Sequence, residues 1–587
     1  SIIQQMTASG ICYYNLMKSH VYWAIVVTIV SLAVFFRFYG LGRIPVSVYW
    51  DEAAILVDAK AISETGMDIH GHSWIQAIFP SYGDYKLPVL IWLAAISVKI
   101  FGATAFALRL PSALFGIFSL GIVVLIARTL AEYIFLQQLA SERKKIITIT
   151  SALVMATSFW SILFSRTAFE GHVGQALLAA SVYLALQAKN KRWFYIISAI
   201  VGALAVYTYY SIRFVWPVVF IFAALIPFLV QLQSIKEVYS KVTHNFKTIL
   251  VWGSWIACSY LIFFLLMQPM LSSPYYEASQ QYRLSATSIL QREPQILESN
   301  KLRELAGNSS IDRIFFHRDL LTIQLLAEHY AEHLSLNYLF ITGDQNLRHG
   351  TQQHGLFPFI MVIPFCIGLY RLARKRVSIL LFLITWWLVS LLPASVPYDV
   401  PHALRSLNAL MPITIIISFG LYSFFNWTST VQKFTTALFC VVLAFQVVQF
   451  WQYYTTAYPQ RSAAAWQAGY SEVAQKLVQE APHYDEVWYA YPEDKFFIWV
   501  ALQPGYLVKI QNMSKVNFKI FTLDTISFQS YNFQSIQNPH HSVLVINRAD
   551  ILEKELMERG LHQQKIEYVT DSTGTQKYMF ATFKSEK

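Results

Sequence analysis

Apolar runs of about twenty residues recur along most of this chain, and the polar positions gather in loops between them. A run of that length lets a helix cross a hydrocarbon layer about 30 Å thick, where helices satisfy their own backbone groups. The pattern predicts spans at roughly 21–39, 110–130, 146–165, 172–188, 193–210, 214–232, 248–268, 356–372, 377–394, 407–425 and 434–452. The first run lacks a small-residue cleavage pattern and reads as a retained anchor. One apolar segment, PVLIWLAAISVKIFG at 88–102, is short, begins with Pro88 and carries Lys99. It is expected to lie at the interface or to re-enter partly.

From about residue 454 the long runs stop. Alternating stretches such as DEVWYAY and HSVLVIN interleave with helical ones such as SEVAQKLVQEA, which is the pattern of a small α/β domain. The expected organisation is a polytopic helical membrane domain over 1–453, with about 11 spans and interfacial helices in the first outer loop, and a soluble α/β domain over 454–587.

Loop charge sets the sidedness. With Lys18 inside, the inner connections are 131–145 with SERKK, 189–192 KNKR, 233–247 with Lys236, Lys241 and Lys247, and 371–376 RLARKR. All are basic, as cytoplasmic loops are. A full crossing at 88–102 would turn these clusters outward, so the interfacial reading holds. The opposite, extracytoplasmic face then carries loops 40–109, 165–172, 269–355 and 393–406, together with YTYYSIR at 207–213 and the C-terminal domain.

Composition narrows the class further. A hydrophobic fraction of 55%, a charged fraction of 13% and a mean hydropathy of +0.41 exclude a soluble globular protein. The net charge of +11 follows from the inner loops and implies no nucleic-acid partner. An aromatic fraction of 16% suits interfacial belts and a groove for a chain-like lipid. Cys12, Cys258, Cys366 and Cys440 show neither a disulfide framework nor a zinc spacing.

The outer loops hold the chemistry. Asp51 and Glu52 are adjacent in VYWDE just after the first span, and Asp84 and Lys86 follow in SYGDYKLP. Arg166 and Glu170 lie in SRTAFEGH, and Arg213 follows Tyr207, Tyr209 and Tyr210. His329, His333, Asp344, Arg348 and His349 belong to the long loop, and Asp399, His402 and Arg405 to the last. Cations at headgroup depth suit a lipid phosphate, and a carboxylate beside them suits removal of a proton from an acceptor hydroxyl. A divalent cation between Asp51 and Glu170 is compatible with hard carboxylate oxygens. Each residue also has a plainer role: arginines and tyrosines anchor span ends, histidines sit solvated in loops, and Asp51 starts a helix. EHYAEH is not the zinc-protease pattern, and the Asn308 and Asn512 triplets match glycosylation acceptors only by composition.

Taken in order, the VYWDE motif, DYKLP, FALRLPSALFG, FSRTAFE, GDQNLRHG and PHALRSLNAL resemble the GT-C glycosyltransferases. The nearest branch is the protein O-mannosyltransferase and aminoarabinose (lipid A) transferase group, and the resemblance covers about 1–425. It implies an inverting enzyme of the cell envelope that moves a sugar from a polyprenyl-phosphate donor to an outward-facing protein, lipid or glycan. Carried over by position, Asp51 is the general base, Glu52 supports it, and Glu170 is the second acid, near acceptor or metal. Lys86, Arg405, His402 and Arg213 are the donor-phosphate contacts. Asp84, Arg166, Arg348 and His349 are acceptor or loop candidates. Two departures stand out. The family often places Glu directly before the lysine, whereas Tyr85 separates Asp84 from Lys86, and no WWDYG run is present, which argues for transfer of one sugar. The alternative is a transporter or flippase for a lipid-linked sugar, which usually carries mid-membrane ionisable residues or broken helices. A sensor would leave the acids of two separate loops unexplained.

Overall fold

A computed structural model of the chain describes residues 19–81, 84–135, 140–229, 246–291, 293–424, 430–489, 496–507, 521–523, 526–528, 542–559, 565–570 and 574–583. Cys12, Lys18, Lys236, Lys241 and the Asn512 triplet lie outside these residues.

All eleven segments expected to span are helical. Among the described residues, five helices are long and apolar enough to cross a membrane: Ser19–Phe38, Ala105–Phe135, Leu250–Leu271, Val377–Ser395 and Thr430–Thr455. A sixth crossing arises if Ser141–Thr157 and Phe159–Ser165, bent by 60° at Ser158, count as one. Phe194–Val206, Ile212–Pro227 and Leu407–Leu421 are shorter apolar helices. Val441, Phe445 and Val448 are each about two-thirds exposed along one helix, and an apolar surface of that kind suits contact with lipid. The chain is an integral membrane protein.

It divides into two compact units, Ser1–Tyr39 with Ser112–Gln452, and Gly40–Pro111 with Tyr453–Lys587. In the first, small and polar side chains bring the helices together, as they do where lipid supplies no hydrophobic drive. Trp216 Nε1 donates to Ser181 Oγ at 2.7 Å, Gln175 Nε2 to Ser119 Oγ at 3.0 Å, and the Ser181 and Ser198 hydroxyls meet at 2.9 Å. Helices Val362–Lys375 and Leu410–Leu421 cross at two glycines. A Cβ on Gly420 would lie 1.7 Å from Pro364 O, and one on Gly368 would lie 2.0 Å from Ile416 O. Only glycine permits that approach. Cys258, Cys366 and Cys440 are unpaired and exposed.

The second unit joins residues 40–111 to the C-terminal domain. Among the described residues, the C-terminal domain holds six strands, β3 (Glu486–Tyr489), β4 (Phe521–Leu523), β5 (Ile526–Phe528), β6 (Val543–Arg548), β7 (Lys565–Thr570) and β8 (Gln576–Phe583). They form a mixed sheet of order β4-β5-β3-β6-β8-β7, in which β3 runs parallel to β5 and β6. Helix Trp50–Thr65 packs Ala53, Ala54, Val57 and Ala61 into this domain's core, against Val473, Leu477, Phe497, Val500 and Ile546. Burial of a side chain such as Val57 or Leu477 contributes about 1.5–3 kcal/mol. Gln467 Oε1 accepts from Trp50 N at 2.8 Å, and Lys60 Nζ donates to Leu502 O at 3.0 Å. The 88–102 segment forms helix Pro88–Phe101, which packs on Trp50–Thr65 and leaves Ile96, Ile100 and Phe101 exposed. At 14 residues it rises about 21 Å.

Candidate functional site

The Asp51 region is built on the first turn of helix Trp50–Thr65. Tyr49 caps that helix in an extended conformation without a side-chain hydrogen bond, and Asp51 and Glu52 lie in its first turn, where negative charge suits the helix dipole. Asp51 and Glu52 then point to different surroundings. The Asp51 side chain is 36% exposed and accepts from Lys86 Nζ at 2.6 Å. A short antiparallel hairpin, β1 (Phe79–Ser81) and β2 (Asp84–Lys86), places the lysine: Lys86 is opposite Phe79, and Asp84 is opposite Ser81. Lys86 also pairs with Asp84 at 3.2 Å and is itself 7% exposed. Two carboxylates thus share one almost buried ammonium.

Glu52 is fully buried. Arg109 grips it with Nε on Oε1 at 3.1 Å and an NH2 group on Oε2 at 2.7 Å, and donates further to Leu41 O, Pro45 O and Ser47 O. Trp466 lies under the guanidinium, 5.8 Å from it. Glu52 is therefore held as a structural partner that fixes the loop beneath Asp51. In the sequence Arg109 is the one charged residue of FALRLPSALFG. A lone cation in an apolar run is a signal that it has a buried partner.

Seven residues on from Asp51, on the same helix face, Asp58 is buried beside Asp68. Asp58 Oδ1 accepts from Ile69 N at 3.1 Å, and Asp68 Oδ1 accepts the N–H groups of His70 and His72 at 2.9 and 2.8 Å. Burial, reinforced by the charge of Asp68, pushes the Asp58 carboxyl well above the ordinary range, and Lys86 opposes the shift.

The first unit carries a second polar cluster. Asp344, His349 and His402 are all buried, and one ligand atom from each lies within 4.8 Å of the others. Asp344 accepts from Ala403 N and Asn346 N, each at 2.7 Å. Burial pushes its carboxyl up to about 7 against these hydrogen bonds. Burial holds the His349 and His402 rings well below the usual imidazole range, with Arg348 and Arg405 adding to the effect. His333 is pulled down to about 4, again by burial first. Its Nδ1 faces His329 O at 2.8 Å and its Nε2 accepts the His402 N–H at 3.1 Å, so both nitrogens are engaged.

Glu170 opens helix Glu170–Gln187. A Cβ on the next residue, Gly171, would lie 2.8 Å from Leu404 Cδ1 and 3.6 Å from Tyr209 Cε1, so Glu170 stands beside the loop that carries Arg405. The ring of Phe169 is 5.4 Å from that of His349. Arg166 is fully buried, donates to Phe36 O at 2.8 Å and lies 5.4 Å from the Trp451 ring, which is a structural anchorage. Arg213 donates to Gln280 Oε1 and lies over Phe214 at 4.8 Å. Asp51, Glu52, Asp84 and Lys86 thus gather in one unit, and Glu170, Arg348, His349, His402 and Arg405 in the other. Asp51 and Glu170, the pair expected to share a cation, belong to different units. Among the described residues, the group of three or more side chains with cation-binding spacing is Asp344, His349 and His402.

No protein-family model matches this sequence, and no curated protein does. The structure is similar to ArnT from Cupriavidus metallidurans. That protein, solved with undecaprenyl phosphate bound, shares 11% identity over 96% of this chain and 98% of its own, at a TM-score of 0.48. AglB, the oligosaccharyltransferase of Archaeoglobus fulgidus solved with an inhibitory peptide and a dolichol-phosphate, shares 12% over 96% and 74%, at 0.45. Likenesses of this degree leave the functional reading to the residues.

Proposed function

We propose that the protein is an inverting glycosyltransferase that moves one sugar from a polyprenyl-phosphate donor to a hydroxyl of an extracytoplasmic acceptor. In this reading the shorter apolar helices complete eleven crossings, and the C-terminal domain lies outside with the catalytic loops. The carrying observation is the half-open Asp51 carboxylate, 2.6 Å from a nearly buried Lys86 and anchored through its neighbour Glu52 by Arg109. A partly exposed carboxylate can take a proton, and a sequestered ammonium suits a phosphate. The donor's phosphate would compete with Asp51 and Asp84 for Lys86 and so release Asp51 as a base.

The step follows. The acceptor oxygen attacks the anomeric carbon as its proton passes to Asp51. The bond from that carbon to the phosphate oxygen breaks, the polyprenyl phosphate leaves with the electron pair, and the configuration inverts. Carried over from the resemblance, Arg405 is assigned to the donor phosphate and Glu170 to the acceptor.

The test is transfer by the purified protein from a panel of radiolabelled polyprenyl-phosphate sugars, with Asp51→Asn alongside. Loss of a general base costs about 10²–10⁴-fold in rate, so the variant should fall by at least 10²-fold while keeping wild-type melting. Undiminished transfer by the variant overturns the assignment of the base. No transfer from any donor, with labelled lipid crossing vesicle membranes instead, overturns the enzyme in favour of a flippase.

A further inference from the structure

The Asp344, His349 and His402 cluster has no place in the transfer step, yet three features distinguish it from a satisfied polar core. First, the donor atoms converge. Asp344 Oδ2 and His349 Nδ1 are 3.7 Å apart, and the three ligand atoms fall within 4.8 Å of one another. Zinc holds nitrogen and oxygen ligands at about 2.0–2.2 Å in a tetrahedron, which sets its ligand atoms about 3.4 Å apart. The Asp344 and His349 pair needs to close by only a few tenths of an ångström.

Second, among the described residues the buried His349 Nδ1 has no hydrogen-bond partner, although the side chain is only 8% exposed and the atom faces the Asp344 carboxylate. A buried polar nitrogen without a partner costs free energy, and a cation in the cluster would take up its lone pair.

Third, the supports of the cluster are already set. The N–H groups of Ala403 and Asn346 orient the carboxylate. His333 accepts the His402 N–H and fixes the backbone there. The Arg405 N–H reaches His402 Nδ1 from 3.3 Å, the long end of the hydrogen-bond range, so a cation displaces little by claiming that ring. The loop also needs glycine, because a Cβ on Gly350 would lie 2.4 Å from Asp344 O. Orienting contacts of this kind around ligands are typical of built metal sites.

We propose that Asp344, His349 and His402 bind a zinc-class divalent cation that clamps the loop around 344–350 to the loop around 402–406. Two imidazoles and one carboxylate form a borderline-soft donor set, which favours zinc over magnesium or calcium. Arg348 and Arg405 act electrostatically on the same rings and disfavour any ion held by charge alone. The clamp ends three residues before Arg405, so it fixes the backbone from which that guanidinium projects. The site stands independently of glycosyl transfer, because it is read by metal content and melting without turnover.

The experiment uses the full-length protein, freed of any histidine tag and purified in detergent. Metal content is measured after dialysis against a mild chelator, and melting is followed with and without added Zn²⁺ or Mg²⁺. The expected result is about one zinc per chain and a melting temperature that rises by a few degrees with Zn²⁺ and not with Mg²⁺. His349→Ala and Asp344→Asn should lose the zinc and its effect on melting. His329→Ala, outside the donor set, should retain both. Wild-type protein that holds no zinc and melts identically with and without it overturns the proposal, and that result does not depend on any variant folding. Zinc retained by the double variant His349→Ala/His402→Ala overturns it as well.

Discussion

Arg109→Ala is the sharpest probe of how the Asp51 loop is held. Arg109 and Glu52 are both fully buried, so removing the guanidinium leaves a carboxylate with no water and no counter-charge. Breaking such a pair costs about 3–5 kcal/mol. Arg109 also donates to the carbonyls of Leu41, Pro45 and Ser47, each worth about 1 kcal/mol where water cannot replace it. The double variant Glu52→Leu/Arg109→Met loses the same three carbonyl bonds, but it removes the buried charge together with its partner. Its loss should therefore stay near 1–3 kcal/mol, and the difference between single and double variants isolates the uncompensated carboxylate. Because a chain of two units need not melt in one step, the assay is hydrogen exchange of the amides from 41 to 56 in the detergent-purified protein. Exchange there should accelerate far more in Arg109→Ala than in the double variant. Equal acceleration in the two would refute the reasoning, because Glu52 would then not depend on Arg109 for its charge balance.

Two further outcomes follow from the structure. Asp58 carries a raised carboxyl in the folded state, from an ordinary value of 3.8. The fold therefore holds a proton that the unfolded chain has lost above about pH 4, and stability should fall as pH rises from there through the raised value. Asp58→Asn, which mimics the neutral form, should flatten that fall, and an unchanged slope of melting temperature between about pH 4 and 8 would count against it. Gly420→Ala should destabilise by about 1–3 kcal/mol or more, because its Cβ would meet Pro364 O at 1.7 Å. Gly253→Ala, in a helix where a Cβ meets nothing within 4 Å, should be neutral or stabilising by up to about 1 kcal/mol. Thermal melts of the two in parallel decide the point, and a similar shift in both would contradict the close crossing.

How much of this was legible beforehand depends on how local each signal is. Asp51 and Glu52 were legible as a pair because two adjacent acids directly after a long apolar run stand out locally. Their different surroundings could not be read. Glu52 finds Arg109 57 residues away, and neither residue carries a local mark that names the other. EHYAEH carries its histidines on one helix, whereas the group with cation-binding spacing among the described residues joins Asp344 and His349 to His402 across the intervening helix Val377–Ser395.

The sequence by itself determined the membrane class, the positions of the helices, the mixed α/β character of the C-terminal end and the gathering of polar residues in a few loops. All of these follow from composition and from periods of two, 3.6 or about twenty residues, which act within one element. Only the tertiary structure decided that residues 40–111 and the C-terminal domain form one unit, with Gln467 hydrogen-bonded to Trp50 across 417 residues. It also decided that Arg109 holds Glu52 and that two late loops meet at Asp344, His349 and His402. These pairings are set by which surfaces exclude water or lipid together, and that depends on the whole packed arrangement rather than on any repeating pattern along the chain.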